Sequence, residues 1–190
     1  MSFPRYPAYK DAGVAWLGAV PEHWAFKPIK HLVSCNDEVL PETTSPDTEF
    51  RYIEISDVDE TQGITNTQSV VFRDAPSRAR RVVRSEDIII STVRTYLKAI
   101  ARVQPILDGA VASTGFAVLR PRSEVNGPFL AYAMRTPHFL DRVVAHSVGI
   151  SYPAINASDL IGLNLPLPPL AEQRAIAAFL DAATARSDTL

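Results

Sequence analysis

The stretch DIIISTVRTYLKAIARV, residues 87–103, contains the strongest fold signal in the chain. Its two ends, 88–90 and 97–103, are rich in β-formers and predict neighbouring strands that bury themselves. The segment between them is polar, yet it contains no glycine, proline or asparagine to form an ordinary turn. A polar segment at the end of a rigid sheet is a suitable place for side chains that contact a ligand.

Short β-forming segments recur on both sides of this stretch, with the spacing of an all-β region. These segments are 24–27, 50–55, 69–72, 82–83, 109–111 and 116–119. Helical patterns opened by prolines follow at 128–136 and 137–147, and a further strand is predicted at 163–167. The pattern predicts an α+β fold. Residues 1–167 form a β-rich domain with a twisted, partly barrel-like sheet and flanking helices, and a protruding amphipathic helix follows.

Residues 168–190 form a separate unit in this prediction. Alanine, glutamate, glutamine and leucine are frequent there, and Glu172 lies in the first turn, which favours a helix. An apolar stripe with coiled-coil spacing runs along it, formed by Ile176, Phe179, Leu180, Ala183 and Leu190. We expect this stripe to pack against a partner helix. The alternative is that the helix folds back onto its own domain.

The composition is that of an ordinary globular protein. Of 190 residues, 46% are hydrophobic and 21% are charged, and the longest apolar runs are too short to span a membrane. The N-terminus lacks the layout of a secretory signal, and Cys35 is the single cysteine, which excludes an internal disulfide. These features predict a cytoplasmic protein without a membrane partner.

The net charge of −2 conceals a strong separation of charge along the chain. Residues 36–60 contain nine acids and one base, whereas residues 73–102 contain eight bases and three acids. Seven of those eight bases are arginine, which binds phosphates and base edges in ways that lysine does not. The basic stretch therefore predicts a surface for an anionic partner, and the alternative is an ordinary solvated surface.

Motifs of catalysis and cofactor binding are absent from the sequence. It has no glycine-rich phosphate or dinucleotide loop, and no acid stands two residues before a lysine, as metal-dependent nucleases commonly require. The four histidines lack metal-ligand spacing, and no second cysteine accompanies Cys35. We therefore expect a chain that binds rather than reacts, with no metal and no cofactor.

Three segments, taken in order, resemble one family. They are VAWLGAVPEHW at 14–24, DIIISTVRTYLKAIARV with the later ASTGFAVLRP, and SVGISYPAINASDLIGLNLPLPPLAEQRAIAAFLD at 147–181. Together they resemble the specificity subunits of type I restriction–modification enzymes. The piece LPLPPLAEQRAIAAFLD is the most specific, because it resembles the family's junction between a target recognition domain and its spacer helix.

The resemblance implies a non-catalytic domain that recognises double-stranded DNA. Such subunits hold two target recognition domains, each reading one half of a split site, separated by two long antiparallel helices. They bring methyltransferase subunits, which carry the methyl donor, and motor-nuclease subunits to the DNA. This chain resembles one recognition domain with the start of one spacer helix, so we expect a fragment or a half-subunit. Its helix would pair with a second spacer helix from the missing half or from another copy.

The loop RDAPSRARR, residues 73–81, is the segment that we favour for DNA contact. It holds four arginines in nine residues, namely Arg73, Arg78, Arg80 and Arg81. Such a loop suits a grip on the phosphate backbone with one or two base contacts. The alternative is a loop that only increases solubility.

Two further segments offer candidate DNA contacts. The segment between the two opening strands contributes Arg94, Thr95, Tyr96 and Lys98. We favour a scaffold or phosphate role for it over base reading, and the alternative is a purely structural hairpin. The segment after the second helix contributes Ser151, Tyr152 and Asn156. An asparagine can read adenine, but Asn156 serves equally well as the N-cap of a short helix.

Two functions from other classes are alternatives to DNA recognition. One is a protein-interaction scaffold whose basic surface binds an acidic partner. The other is a nuclease with an unrecognised site, against which the missing carboxylate–lysine motif speaks.

Overall fold

The structure is a computed structural model that describes residues 6–12, 18–149 and 151–187. Its strands in this part of the chain are β1 (Tyr9–Asp11), β2 (Ala19–Pro21), β3 (Ala25–Pro28), β4 (Val33–Cys35), β5 (Glu49–Ile53), β6 (Val58–Asp59), β7 (Gly63–Ile64), β8 (Gln68–Val71), β9 (Ala79–Val82), β10 (Ile88–Ser91), β11 (Ile100–Arg102), β12 (Val111–Ser113), β13 (Phe116–Pro121) and β14 (Asn164–Leu167). Its α-helices are α1 (Gly127–Met134), α2 (Pro137–Ala145), α3 (Ala157–Gly162) and α4 (Leu170–Ser187). The predicted α+β architecture is confirmed.

Strand β10 lies inside a four-stranded antiparallel sheet with the order β11-β10-β13-β4. Ile88, Ile89 and Ile90 are all buried, which explains why this strand is apolar at successive positions rather than at alternate ones. Ile88 and Ile90 belong to a core shared with α1, α2 and α3, whereas Ile89 belongs to the core of a second sheet. The first sheet therefore lies between a helical layer and another sheet.

The second four-stranded sheet has the order β8-β5-β12-β9. Strands β5 and β12 pair in parallel, with Tyr52 opposite Val111, and the other pairs are antiparallel. A bulge between Ala112 and Ser113 ends the regular pairing just before the turn into β13. Within the described residues both four-stranded sheets are open. The expected partly barrel-like sheet is therefore two packed sheets rather than a closed barrel.

The helices predicted after the sheets are present. Helix α1 begins after Asn126, whose side chain accepts a 3.0 Å hydrogen bond from the backbone N–H of Phe129, and α2 begins at Pro137. The strand predicted at 163–167 is β14, which pairs antiparallel with β3. This last pairing ties the start of the domain to its end.

Helix α4 follows β14 and packs along α1. Gln173 is buried, and its Oε1 accepts a 2.9 Å hydrogen bond from the backbone N–H of Asn126. Ala177 is buried one turn later, and the Tyr132 hydroxyl donates a 2.7 Å hydrogen bond to Asp181. The first three turns of α4 therefore have a defined place on the domain. Within the described residues no helix is long and apolar enough to cross a membrane.

The apolar stripe predicted on α4 is only partly directed outward. Ile176, Leu180 and Ala183 are half-buried, whereas Phe179 is 49% exposed. Leu190, the last member of the stripe, lies outside the described residues. The side of α4 that packs on α1 is centred on Gln173 and Ala177, so the stripe lies beside this contact rather than within it.

The first described residues are attached to the base of α4 through one carboxylate. Glu172 accepts hydrogen bonds from the Tyr6 hydroxyl and from Trp24 Nε1 at 3.2 Å, and it pairs with His23 Nε2 at 2.8 Å. Burial would raise the pKa of Glu172, but these hydrogen bonds outweigh burial and lower it. The hydrogen bond to Glu172 also raises the pKa of Tyr6 to about 12.

Candidate nucleic-acid interface

The acidic and basic stretches of the sequence meet in the folded domain. Arg73 pairs with Asp47, and Arg84 pairs with Glu38 through two hydrogen bonds. Two more such pairs are Arg78–Glu54 and Lys98–Glu60, and Arg102 pairs with Glu86 inside the basic stretch itself. Much of the positive charge counted in the sequence is therefore neutralised within the protein.

A buried ion pair stabilises the edge of this charged region. Asp87, the first residue of the opening stretch, is 1% exposed and accepts two hydrogen bonds from Arg120, at 2.9 and 2.8 Å. Arg120 also contacts Glu38 at 3.4 Å. Hydrogen bonding from Arg84 is the main cause of a lowered pKa at Glu38. These residues stabilise the fold and leave few free donors for a ligand.

Three of the eight bases between residues 73 and 102 have no carboxylate within 4.0 Å in the described part of the chain. Arg80 places its guanidinium 5.3 Å from the centroid of the Phe72 ring. Arg81 is half-buried in β9, and its Nε is buried without a hydrogen-bond partner. Arg94 is the exposed member of the three. It is therefore the basic side chain of this stretch that is best placed to meet an anion.

The turn between β10 and β11 is formed without glycine because two ordinary residues adopt the left-handed conformation. Arg94 has φ of 50° and Lys98 has φ of 49°, and a short 3-10 turn lies between them. Hydroxyl groups hold this strained backbone. Ser91 donates to the carbonyl of Val93, and the buried Thr95 shares a 2.8 Å hydrogen bond with Ser147.

Residues 147–149 and 151–156 dock onto this turn. The backbone N–H of Ile155 donates to the carbonyl of Thr92 at 2.9 Å, and Val93 forms an isolated antiparallel bridge with Ala154. This contact brings the Tyr152 ring to 5.3 Å from the guanidinium carbon of Arg94. The two segments that were separate candidates in the sequence therefore form one surface.

Arg78 and Arg94 both line an open groove of about 440 Å³. Other lining residues are Glu54, Ser56, Ser113, Thr114 and Gly115. The turn at Gly115 lies very close to its neighbours, because an added Cβ would be 2.8 Å from Ile55 Cδ1 and 3.3 Å from Val93 Cγ2. Glycine therefore allows the β12–β13 turn to form part of the groove.

The predicted DNA-binding residues separate into three groups. Arg78 and Arg94 line the groove, and Tyr152 contacts Arg94. Tyr96, Lys98, Ser151 and Asn156 lie nearby in the same two segments but outside the groove lining, and Asn156 occupies the N-cap position of α3. Arg73, Arg80 and Arg81 make contacts elsewhere on the domain. The position of Thr95 argues against a DNA contact, because its hydroxyl is buried against Ser147.

Sequence reasoning missed Glu54 and the Ser113–Gly115 turn as groove residues. Glu54 lies in the acidic stretch, and nothing in the sequence indicates that this stretch contacts the basic one. The turn is small and uncharged, but the letters STG between two strands were a usable signal, since hydroxyls and glycine suit close approach of a ligand. Among the described residues, no three His, Cys, Asp or Glu side chains are grouped so that they could hold a metal ion.

A family model for the type I restriction modification DNA specificity domain matches residues 21–190 of this chain. A search of curated proteins gave no significant match. Among solved structures, the HsdS subunit from Thermoanaerobacter tengcongensis is 36% identical with a TM-score of 0.79, and the match covers 90% of this chain and 44% of that one.

Two other solved structures are similar. One, described as the structural basis of complex assembly and conformational transition of the type I R-M system, is 38% identical with a TM-score of 0.79 and covers 88% of this chain and 43% of that one. The type I S subunit from M. genitalium is 17% identical with a TM-score of 0.58, covers 88% and 40%, and supports the fold alone. The chain thus spans less than half the length of the structures that it matches.

Proposed function

The chain belongs to the family of type I restriction modification DNA specificity domains, and on that premise we propose that it contacts duplex DNA through the groove between Arg78 and Arg94. The observation that carries this proposal is the state of Arg94. Its guanidinium is exposed, has no carboxylate partner among the described residues and is held beside Tyr152. An arginine in this state can donate two hydrogen bonds to guanine or clamp a phosphate.

The groove also has suitable neighbours for a DNA backbone. Ser113 and Thr114 provide hydroxyls, and hydroxyl side chains are common donors to phosphate oxygens. Tyr152 is 67% exposed, so its ring can support Arg94 and still pack against a sugar. The two sheets keep these side chains at fixed separations, which favours recognition over loose attraction.

The partners of the whole assembly are part of the same proposal. A relative of the chain is described in the context of a type I R-M complex, and we infer that this domain directs methyltransferase and motor-nuclease subunits to DNA without catalysing a reaction itself. The exposed ring of Phe179 beside half-buried Ile176 and Leu180 supports contact of α4 with a second spacer helix. Because the DNA target lies inside the cell, the proposal also places the chain in the cytoplasm.

The test is duplex binding by the chain and by the R94A variant, followed over a range of salt concentrations. We expect the chain to enrich a short motif from random duplexes, and its affinity to fall as salt rises, because each phosphate contact releases counterions. R94A should retain its thermal unfolding midpoint and lose the enrichment. Equal enrichment by both proteins would contradict the proposed role of Arg94.

The same preparation separates the other two functions. A scaffold for acidic proteins would be displaced from every duplex by heparin equally, whereas a reader keeps its selected duplex better than a random one. A nuclease would cleave the duplex when divalent metal is added. Displacement without preference, or metal-dependent cleavage, would replace the proposal with the corresponding alternative.

A further inference from the structure

The Arg78 guanidinium is held along one edge. Its Nε and Nη2 donate hydrogen bonds to the same oxygen of Glu54, Oε1, at 3.1 and 2.6 Å. The Tyr52 hydroxyl is a further hydrogen-bond partner of Arg78, and 61% of the Arg78 side chain is still exposed. A guanidinium offers donors in a fixed planar fork. Glu54 uses the edge that contains Nε, so the edge formed by Nη1 and the second hydrogen of Nη2 is the one through which this largely exposed side chain can meet a ligand.

Two other arginines show what a fully used guanidinium looks like in this protein. Arg120 donates through Nε and Nη2 to Asp87, and its Nη1 contacts Glu38 at 3.4 Å. Arg84 bonds Glu38 along one edge, and its Nη1 lies 3.8 Å from Asp108. Both of these side chains connect elements of the fold. Arg78 is supported along the same edge, but unlike these two arginines it lines the groove.

The backbone and the carboxylate that hold Arg78 are themselves fixed. The carbonyl of Arg78 accepts a 2.8 Å hydrogen bond from the N–H of Thr114, and the next residue, Ala79, is fully buried. Glu54 follows the end of β5, directly after two fully buried residues, Tyr52 and Ile53. The Tyr52 hydroxyl donates to Glu54 Oε1 at 3.4 Å. The pair therefore rests on the core of the second sheet rather than on a mobile loop.

We propose that Arg78 reads a guanine in the major groove of the target and that Glu54 is the positioning residue that orients it. Guanine presents O6 and N7 as two acceptors along one edge, which matches the two donors that Glu54 leaves on Arg78. The negative charge of Glu54 also lowers the attraction of Arg78 for phosphate, so the pair favours a base over the backbone. This inference rests on the proposed DNA-binding function of the groove and assigns to it one base and the residues that read it.

The experiment uses the full chain and its E54Q, R78A, R78K and R94A variants. Each protein is first given random duplexes, and the motif enriched by the unaltered chain is then made with 7-deazaguanine, which lacks the N7 acceptor, at one guanine at a time. Dissociation constants are measured by fluorescence anisotropy at fixed salt. Thermal unfolding of each variant reports whether it is folded.

We expect one guanine at which loss of N7 weakens binding by the unaltered chain roughly tenfold. R78A and R78K should both be insensitive to that substitution, R78K because lysine keeps the charge but not the fork. E54Q should retain binding to random duplex while its preference for the guanine falls several-fold. A merely structural role of Glu54 would not change the preference at one base.

Several outcomes would overturn the inference. If R78A weakens binding to all duplexes equally and stays sensitive at every guanine, Arg78 contacts phosphate only. If E54Q tightens binding uniformly and keeps its preference, Glu54 only masks charge. In both cases R94A would still lose the enriched motif, and the proposed function would stand. If the unaltered chain enriches no motif, the proposed function itself fails.

Discussion

The loop at 73–81 and the turn at 91–98 illustrate the difference between charge that a sequence contains and charge that a surface offers. The loop has four arginines, yet Arg73 pairs with Asp47, Arg78 with Glu54, and Arg80 packs on Phe72. The turn has one arginine, and it is exposed beside an aromatic ring. The sequence favours the richer segment for DNA contact, whereas the pairing in the folded protein favours Arg94, with Arg78 as the loop's contribution.

The largest expected effect is that of R94A, which tests the turn directly. Removing an unpaired, exposed guanidinium from the groove should weaken duplex binding by roughly 5- to 150-fold, the range of one good arginine contact. Fluorescence anisotropy at moderate salt measures this change. R122A is the matched control, since Arg122 is exposed but lies outside the groove lining. A similar loss in both variants would show that only total charge matters.

The support of the turn is tested by T95V, which keeps the shape of Thr95 and removes the hydrogen bond to Ser147. We expect the free energy of unfolding to fall by about 1 kcal/mol because one hydrogen bond is lost, while Ser147 keeps its 2.8 Å hydrogen bond to the carbonyl of Val143. Duplex affinity should fall by up to about fivefold as the turn becomes less ordered. Chemical denaturation and anisotropy measure the two effects. T43V serves as the matched control, since Thr43 is exposed and lies outside the groove lining, and an unchanged T95V protein would contradict the role assigned to this bond.

The aromatic partner of Arg94 is tested by comparing Y152F with Y152A. A cation–π contact at an exposed site contributes about 0.5 to 1 kcal/mol, so Y152A should lose about two- to fivefold in duplex affinity. Y152F keeps the ring and should stay within twofold of the unaltered chain if the contact with Arg94 is what matters. A loss in Y152F equal to that in Y152A would instead assign the effect to the hydroxyl.

Removing the carboxylate partner of an arginine should raise duplex affinity, in contrast to the losses expected above. E38Q removes the charge that faces Arg84, so affinity for random duplex should rise about twofold and the salt dependence should steepen slightly. Hydrogen bonding from Arg84 lowers the pKa of Glu38 below its usual value of 4.5. The carboxyl is therefore charged at every pH above 4.5, and the ion pair weakens only as pH falls through the lowered pKa. Acidification from pH 8 to 6 should therefore not reproduce E38Q. A gain on acidification that the unaltered chain shows and E38Q does not would contradict the pairing.

The smallest expected effect is that of R73A. Arg73 is paired with Asp47 and lies outside the groove lining, so its removal should change duplex affinity by less than about twofold. The measurement is the same anisotropy titration, with R94A at the other extreme. A loss in R73A as large as that in R94A would restore the whole loop as the DNA contact and remove the distinction between the two regions.

Local patterns in the sequence predicted much of the fold. The apolar run at 88–90, the prolines at 128 and 137 and the spacing in the last helix all depend on neighbouring residues, and each corresponds to an element in the structure. Asn156 also occupies the predicted N-cap position, although it makes no side-chain cap hydrogen bond. These features are predictable because burial and helix capping act over a few residues.

The site was less predictable because it depends on contacts between distant residues. Glu38 and Arg84 are 46 positions apart, and Glu54 and Arg78 are 24 apart, so the neutralisation of one stretch by the other has no local signal. The left-handed Arg94 likewise follows Val93, which bridges to Ala154, a residue 61 positions later in the chain. Charge counted along the chain showed that a basic surface existed but not which side chain remained available.

Hydrogen bonds near both ends of its described packing contact, together with Gln173 and Ala177 between them, fix the direction of α4 on the domain. Glu172 binds Tyr6, His23 and Trp24 at the base, and Asp181, nine positions or about 13.5 Å further along the helix, binds Tyr132. Helix α4 can therefore neither rotate nor tilt on the domain without breaking one of these contacts. A partner that packs on the outer side of α4 is therefore held at a fixed orientation and distance relative to the groove. Each residue inserted after Asp181 would rotate the following part of the helix by about 100° about its axis and move it about 1.5 Å further from the groove-bearing domain.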